Sequence, residues 1–223
     1  MVKDNTPADE QWKLARSGKF TASSISKIML PGKDNMFSKG GLTYINEVAC
    51  DAYTLFEDRN VQTYSMMMGK IKEPEAFAFY SKLIGLNGLQ YFGDGNPLFK
   101  EYCKDSGGSP DAIAPVDADT VSFGGEFKCP DRDTHWDYLK TIKDQYDLKK
   151  LCPDYYGQCE FLMRTFKCDL WHWVSYNEYF PLKDRALIIE VKWDKNYQND
   201  LEVRLQQAIK MKYELIEQFK TRS

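Results

Sequence analysis

The stretch from Asp111 to Lys128 restricts the fold more than any other part of the chain. Two β-rich runs, Asp111–Val116 and Val121–Lys128, flank the turn-forming sequence Asp117-Ala118-Asp119-Thr120, which spells a hairpin. A turn centred between Ala118 and Asp119 sets Asp111 directly across from Glu126. Directly opposed residues hold their Cβ atoms roughly 5 Å apart, and like charges there repel. Two carboxylates so placed need a cation between them. Lys128 lies two residues beyond Glu126 and shares its face, while Phe127 points the other way into packing.

Two acids and a lysine on one face of a hairpin are suited to metal-assisted phosphodiester hydrolysis. Hard oxygen ligands hold Mg²⁺, which keeps several waters and takes the rest of its shell from phosphate. The metal acidifies a bound water, and the lysine orients it or steadies developing charge. The Phe127 carbonyl is a further candidate ligand. Gly107-Gly108 and Gly124-Gly125 beside the site would let a ligand approach the backbone closely. A similar Glu190-Val191-Lys192 lies on the polar side of an alternating strand, where a solvated face accounts for it.

Around the hairpin the pattern is mixed. Thr21 or Ser23 can cap a helix over Ala22–Met29, stopped by Pro31-Gly32. Helices are expected over Leu42–Phe56, from Glu73-Pro74 through Leu83, over Thr134–Lys143, Asp154–Phe166 and Asp200–Phe219. Further strands are expected at Leu98–Cys103, broken by Gly107-Gly108-Ser109-Pro110, and at Leu170–Tyr176 and Arg185–Trp193. The last alternates, with Leu187, Ile189, Val191 and Trp193 on one face. The expected fold is α/β (α+β), a central mixed sheet flanked by helices. The longest loop-like stretch, Pro31–Gly41, is too short to separate domains, so residues 1–223 read as one.

Composition removes several functions. A net charge of −3 is wrong for a general polyanion binder, so any nucleic-acid contact must be local or metal-bridged. No apolar run reaches the roughly 20 residues of a membrane helix, and the polar start MVKDNTPADEQW is no secretory signal. Cytoplasmic residence follows as the expectation. Six cysteines without a C-x-x-C pair read as free thiols; Cys152, Cys159 and Cys168 are too loosely spaced to suggest an iron–sulfur site strongly. No P-loop and no G-x-G-x-x-G is present. Aromatic residues reach 14%, and those in Trp171-His172-Trp173 and Tyr176–Phe180 suit sheet packing better than stacking on unpaired bases.

GSPDAIAP followed by GGEFKCP resembles the restriction-endonuclease-like PD-(D/E)xK superfamily, and within it the phage lambda exonuclease and YqaJ-type viral recombinase nucleases. Three more segments carry the resemblance in order: Arg16-Ser-Gly-Lys-Phe-Thr21-Ala22-Ser23, Gly69-Lys-Ile-Lys-Glu73 and Tyr155-Tyr-Gly-Gln158. It covers about residues 11–175. The resemblance implies metal binding by Asp111 and Glu126, assistance to the nucleophilic water by Lys128, and a second metal or its water held by Glu73. Gln158 would position that water or the metal shell. Arg16, Ser23 and Ser109 match residues that hold a 5′-phosphate. Thr21 and Ser23 at a helix start, with Arg16, make physical sense of such a pocket, because free amides and a guanidinium both favour an anion.

A second phosphate-binding arginine expected after Lys128-Cys129-Pro130 has no clean equivalent. Arg132 needs a gap of two residues; Thr134 or His135 is the alternative, and His135 could equally be a helix-start residue facing solvent. The resemblance further implies two Mg²⁺ ions (Mn²⁺ also suitable), 5′→3′ degradation from duplex DNA ends, a homotrimeric ring around DNA and a single-strand-annealing partner in recombination. Two rival readings stay open: an endonuclease on the same fold, and a catalytically idle DNA-end-binding module.

Overall fold

The computed structural model describes residues 7–33, 36–56, 63–93, 95–117 and 120–221. In chain order the elements are α1 (Pro7–Arg16), β1 (Phe20–Thr21), a 3-10 turn (Ala22–Ser24), α2 (Ser26–Met29), α3 (Lys39–Tyr53), α4 (Tyr64–Ile84), β2 (Gln90–Tyr91), β3 (Lys100–Cys103), β4 (Ser106–Gly108), β5 (Ala112–Pro115) and β6 (Val121–Lys128). The second half adds α5 (Arg132–Thr141), α6 (Gln145–Leu151), α7 (Pro153–Phe166), β7 (Leu170–Tyr176), β8 (Ala186–Lys192) and α8 (Lys195–Lys220).

The main sheet has the order β2-β5-β6-β7-β8, with β6 and β7 parallel and every other pair antiparallel. A smaller sheet, β1-β4-β3, pairs β1 with β4 in parallel. This is the expected mixed sheet flanked by helices. Register assigns the two faces. Glu126 pairs with Trp173 and Gly124 with Trp171, so these residues and Lys128 share one face, covered by α7. Phe127 pairs with Val174 on the other, where Ala76 and Tyr80 of α4 pack with Phe127, Val174 and Tyr176.

The β5–β6 pairing sets Ala112 against Gly125 and Ile113 against Gly124, a register that extends to Asp111 across from Glu126. A register shift between Ala114 and Pro115 lies on the turn side, and Val116 N closes the turn on Thr120 O at 2.8 Å. Ala118 and Asp119, where the turn was expected to centre, lie outside the described residues, as do residues 1–6 of the polar start.

Helix starts follow local chemistry. Side chains of Asp131, Asp144 and Asp194 accept backbone amides at the first turns of α5, α6 and α8, and Ser38 does so for α3. Several expected boundaries need correction. Ala22–Met29 is a 3-10 turn followed by a four-residue helix, and Thr21 makes no side-chain cap bond; its amide donates to Tyr44 Oη instead. Glu73-Pro74 does not start a helix but lies inside α4. Proline there deprives the Lys70 carbonyl of its helical donor, which costs about 3 kcal/mol; packing of Ala76, Phe77 and Tyr80 against Phe127 offsets it. Helices α1 and α6 and the short strands β1, β2 and β4 were not anticipated. Helix α8 starts five residues early, and Trp193 falls beyond β8.

Three of the four glycines beside the hairpin do a different job from the one expected. A Cβ on Gly124 would meet the Trp171 ring at 2.1 Å, one on Gly108 would meet Leu162 at 2.6 Å, and one on Gly107 would meet Lys100 O at 2.4 Å. Protein fills these spaces, and Gly107-Gly108 is a buried strand rather than a breaker. Gly124→Ala should therefore lose about 1–3 kcal/mol by overpacking. Gly69→Ala, on α4 with nothing within 4 Å of the new atom, should gain roughly 0.5–1 kcal/mol. Urea midpoints of the two variants check the pair, and equal shifts would refute the packing assignment.

Helices α7 and α8 are joined by a buried acid. Glu160 accepts from Gln198 Nε2 (2.6 Å) and from the Asp194 amide (3.2 Å), and burial pushes its pKa up to about 7. A carboxyl raised in the folded state lends stability that is whole below its ordinary value of 4.5 and lost as pH rises through about 7. Between pH 5 and pH 8 the wild type should lose on the order of 3 kcal/mol relative to Glu160→Gln, read as the change in the gap between their urea midpoints.

Candidate active site

Glu126 is the centre of the site. It is 2% exposed on β6. Its Oε1 accepts from Lys128 Nζ at 2.6 Å and from Gln158 Nε2 of α7 at 2.6 Å, while its buried Oε2 has no hydrogen-bond partner. Asp111, one residue before β5, turns its Oδ2 to the Phe127 amide at 2.6 Å. From α4, Glu73 reaches the same region, held by Tyr91 Oη at 2.9 Å. The structure thus brings together Asp111, Glu126, Lys128, Glu73 and Gln158 as the sequence order implied.

The electrostatics show an acid cluster short of positive charge. Burial pushes the Asp111 carboxyl well above the usual carboxylate range, and Glu126 and Glu73 push it further. Glu73 is raised by burial too, against the pull of the Tyr91 hydroxyl. Burial alone would lower Lys128, yet the Glu126 and Asp111 carboxylates outweigh it and hold the ammonium protonated. The same surroundings push the Cys129 thiol up to about 12, mainly by burial.

Among the described residues, no three His, Cys, Asp or Glu side chains stand ready-made around one metal position. The donors nevertheless fit a magnesium-like ion. That ion keeps most of its waters and needs only one or two carboxylates from protein. The orphaned Glu126 Oε2 is an unused hard oxygen beside Asp111, with the Phe127 carbonyl next along the strand. A buried carboxylate oxygen without a donor is costly unless a cation meets it.

A second cluster adjoins the first. Arg16 Nη1 donates to Ser109 Oγ (3.1 Å) and Nη2 approaches Ser23 Oγ (3.4 Å), with Thr21 Oγ1 at 3.4 Å from Ser23. Burial lowers the Arg16 pKa, opposed by Tyr44 and by Glu126, so the two clusters lie within electrostatic reach. Two basic and aromatic members escaped the sequence reading. Trp12 stacks its ring 4.3 Å from the Arg16 guanidinium and donates Nε1 to Ser109 Oγ at 2.7 Å, and Lys70 lies 6.0 Å from the same ring. Trp12 is one helical turn before Arg16, and that i,i+4 spacing could have exposed it.

The third group is not brought in. Arg132 and Thr134 sit in the first turn of α5, with Arg132 exposed and paired with Asp133. His135 does not face solvent; it is 0% exposed, with Nδ1 at 2.7 Å from Ser175 Oγ and Nε2 at 2.9 Å from the Asp184 carbonyl. Both ring nitrogens are engaged, so His135 ties α5 to the sheet and has no atom free for phosphate. The Glu190–Lys192 pair is solvent-exposed at 3.7 Å, as its alternating strand implied. Cys159 and Cys168 are buried thiols whose pKa burial raises.

Comparison with known proteins agrees with this architecture. The chain shares its fold with an alkaline exonuclease (LHK-Exo) from Laribacter hongkongensis, at 23% identity and TM-score 0.77 over 95% of this chain and 96% of that one. A structure of LHK-Exo in complex with dAMP matches at 24% identity and TM-score 0.76, over 95% and 96% of the two chains. A phage-related exonuclease from Haemophilus somnus 129PT matches at 17% identity and TM-score 0.70, over 93% and 99%. The fold is therefore that of the alkaline exonucleases. Residues 11–169 match the YqaJ-like viral recombinase domain, and the chain belongs to that family. No curated protein matches the sequence. Among the described residues, no helix is long and apolar enough to cross a membrane.

If the acid cluster lacks a cation, neutralising Asp111 relieves it. Its raised folded pKa means wild-type stability falls as pH rises above the ordinary aspartate range. In chelator, Asp111→Asn should melt above wild type at pH 8, with a smaller margin at pH 5. Added Mg²⁺ should raise the wild-type midpoint and leave the variant's unchanged.

Proposed function

We propose that this chain is a Mg²⁺-dependent DNA nuclease that degrades one strand of linear duplex DNA 5′→3′ from its ends and leaves 3′ overhangs for recombination. The observation that carries this reading is the buried, unpartnered Glu126 Oε2 beside Asp111 and Lys128. Membership of a viral recombinase family and the fold shared with alkaline exonucleases support it, and dAMP bound to one of those agrees with mononucleotide release. We take residues 1–223 as one nuclease domain, with two Mg²⁺ ions (or Mn²⁺), a homotrimer around DNA and a single-strand-annealing partner.

In this reading Asp111, Glu126, Glu73 and the Phe127 carbonyl would hold the metal. When bound, the metal supplies acidified water and neutralises charge on the attacked phosphate. The protein does the rest. Lys128, kept protonated by two carboxylates, places a positive charge where the phosphate becomes more negative. Gln158 fixes the rotamer of Glu126 through its 2.6 Å bond, so that Oε2 stays aimed away from the lysine. Arg16, Ser23 and Ser109 present a guanidinium and two hydroxyls to a terminal phosphate, an arrangement suited to a dianion. Arg132 and Thr134 lie on the exposed start of α5, where they would meet DNA backbone only beyond this pocket.

The test is digestion of linear duplex DNA in Mg²⁺, with 5′-phosphorylated and 5′-hydroxyl ends compared and a closed circle alongside. Linear DNA alone should be degraded, faster from 5′-phosphate. Lys128→Ala should slow it by about 100-fold or more, and Arg16→Ala should erase the end preference. Cutting of the circle would turn the assignment to an endonuclease; no cleavage with any divalent metal would leave a binding module.

A further inference from the structure

Behind the anion pocket lies a buried ion pair, one partner of which is outside the residues that match the family. Lys212 on α8 is 4% exposed and Asp105, in the turn between β3 and β4, is 3% exposed. Lys212 Nζ donates to Asp105 Oδ1 at 2.6 Å and to the Gly18 carbonyl at 2.7 Å. Tyr213 Oη donates to the same carboxylate oxygen at 2.8 Å. The Asp105 carbonyl in turn accepts the Phe20 amide at 2.9 Å. As glue between helix and sheet, an ion pair is a poor choice, since apolar residues of equal volume often hold as well or better. What apolar residues cannot do is bond a backbone carbonyl in a turn.

Both chain segments gripped by this pair lead to the pocket. Gly18 follows Arg16 by two residues, at φ 67°, where a Cβ would meet Ala52 at 2.7 Å. From it the chain passes through β1 to Thr21 and Ser23. Asp105 opens onto β4, from which the chain passes to Ser109. Strands β1 and β4 pair in parallel, Phe20 with Ser106 and Thr21 with Gly107. They therefore leave the clamp side by side and deliver Ser23 and Ser109 at one end, where Arg16 reaches both hydroxyls. We propose that Lys212, acting with Asp105, is a positioning residue for the 5′-phosphate pocket. It fixes the turn after Arg16 against the start of β4, so the terminal helix sets the spacing of the phosphate-binding groups. This role rests on the pocket reading above.

The experiment uses Asp105→Asn/Lys212→Met, which removes both charges at similar volume, because Lys212→Met alone would strand a buried carboxylate. Backbone hydrogen exchange over residues 17–23 and 105–109 reads the clamp without any ligand. KM and kcat on 5′-phosphorylated and 5′-hydroxyl duplex ends read the pocket. The double variant should exchange faster in both segments. Its KM for phosphorylated ends should rise about tenfold, with kcat within about twofold, since small misplacement of a binding group is costly. Unchanged exchange and unchanged end preference in the folded variant would overturn the proposal and leave the pair as packing. Should wild type show no end preference and Arg16→Ala change nothing, the pocket reading itself fails and takes this role with it. Faster exchange in the double variant would then still show the clamp acting on the backbone, which separates the two failures.

Discussion

A carboxylate taken out of water with one oxygen left over is the constraint around which this molecule is arranged. Glu126 could not be buried on β6 unless something met its charge, and two side chains do so. Lys128 comes from the same strand and Gln158 from α7, while the neighbouring Asp111 takes the Phe127 amide. Each satisfies part of the cluster, and Oε2 is what remains. The alternation of β6 makes this possible. Placing Glu126 and Lys128 on the α7 face commits Phe127 to the other, where it anchors α4 and so brings Glu73 to the site. Catalytic placement and core packing are one choice of register.

The two clusters divide the electrostatic work. Asp111 and Glu73 are raised in pKa because burial and the neighbouring carboxylates outweigh the lysine beside them, whereas Arg16 is lowered because burial outweighs the carboxylate and phenol near it. Burial makes charge costly in each cluster, and each would gain on meeting a ligand of opposite sign. A cation suits the first and an anion the second. A metal-bridged phosphodiester beside a terminal phosphate supplies both, which is why the pair reads as one site rather than two.

Much of this was legible because hairpin register is a local property. The alternation of β6 and the pairing of Asp111 with Glu126 follow from residues within eighteen positions of one another, and the shift at Pro115 left them intact. Strand β6 matched its expected limits for the same reason, and β7, seven residues long, is long enough to be read from its own composition. What stayed hidden depends on distant partners. Pro74 looks like a helix start until the packing of Ala76 and Tyr80 shows why a helix continues through it. Gly124 looks like room for a ligand until Trp171, some fifty residues on, is found filling it. His135 looked free because Ser175 and the Asp184 carbonyl lie forty and more residues away. The short strands β1 and β4 are two and three residues long, too brief to show any period, yet they carry the pocket hydroxyls into place.

The acidic net charge becomes intelligible in the same terms. A chain at −3 gains little from long-range attraction to DNA, and salt would weaken what attraction there is. The cations around the site are instead fixed by neighbours: Arg16 on Trp12, Lys70 near the same ring, Lys128 between two acids. Cations so held act at short range, on a terminal phosphate or on the oxygens of the attacked phosphodiester, and on little else. On the proposed reading, a nuclease built this way has weak affinity for the interior of a duplex and finds its purchase at an end, where the 5′-phosphate is. The preference for ends then arises from what the surface lacks as much as from what the pocket contains. Enclosure of the DNA by further copies of the chain would supply the persistence that charge does not.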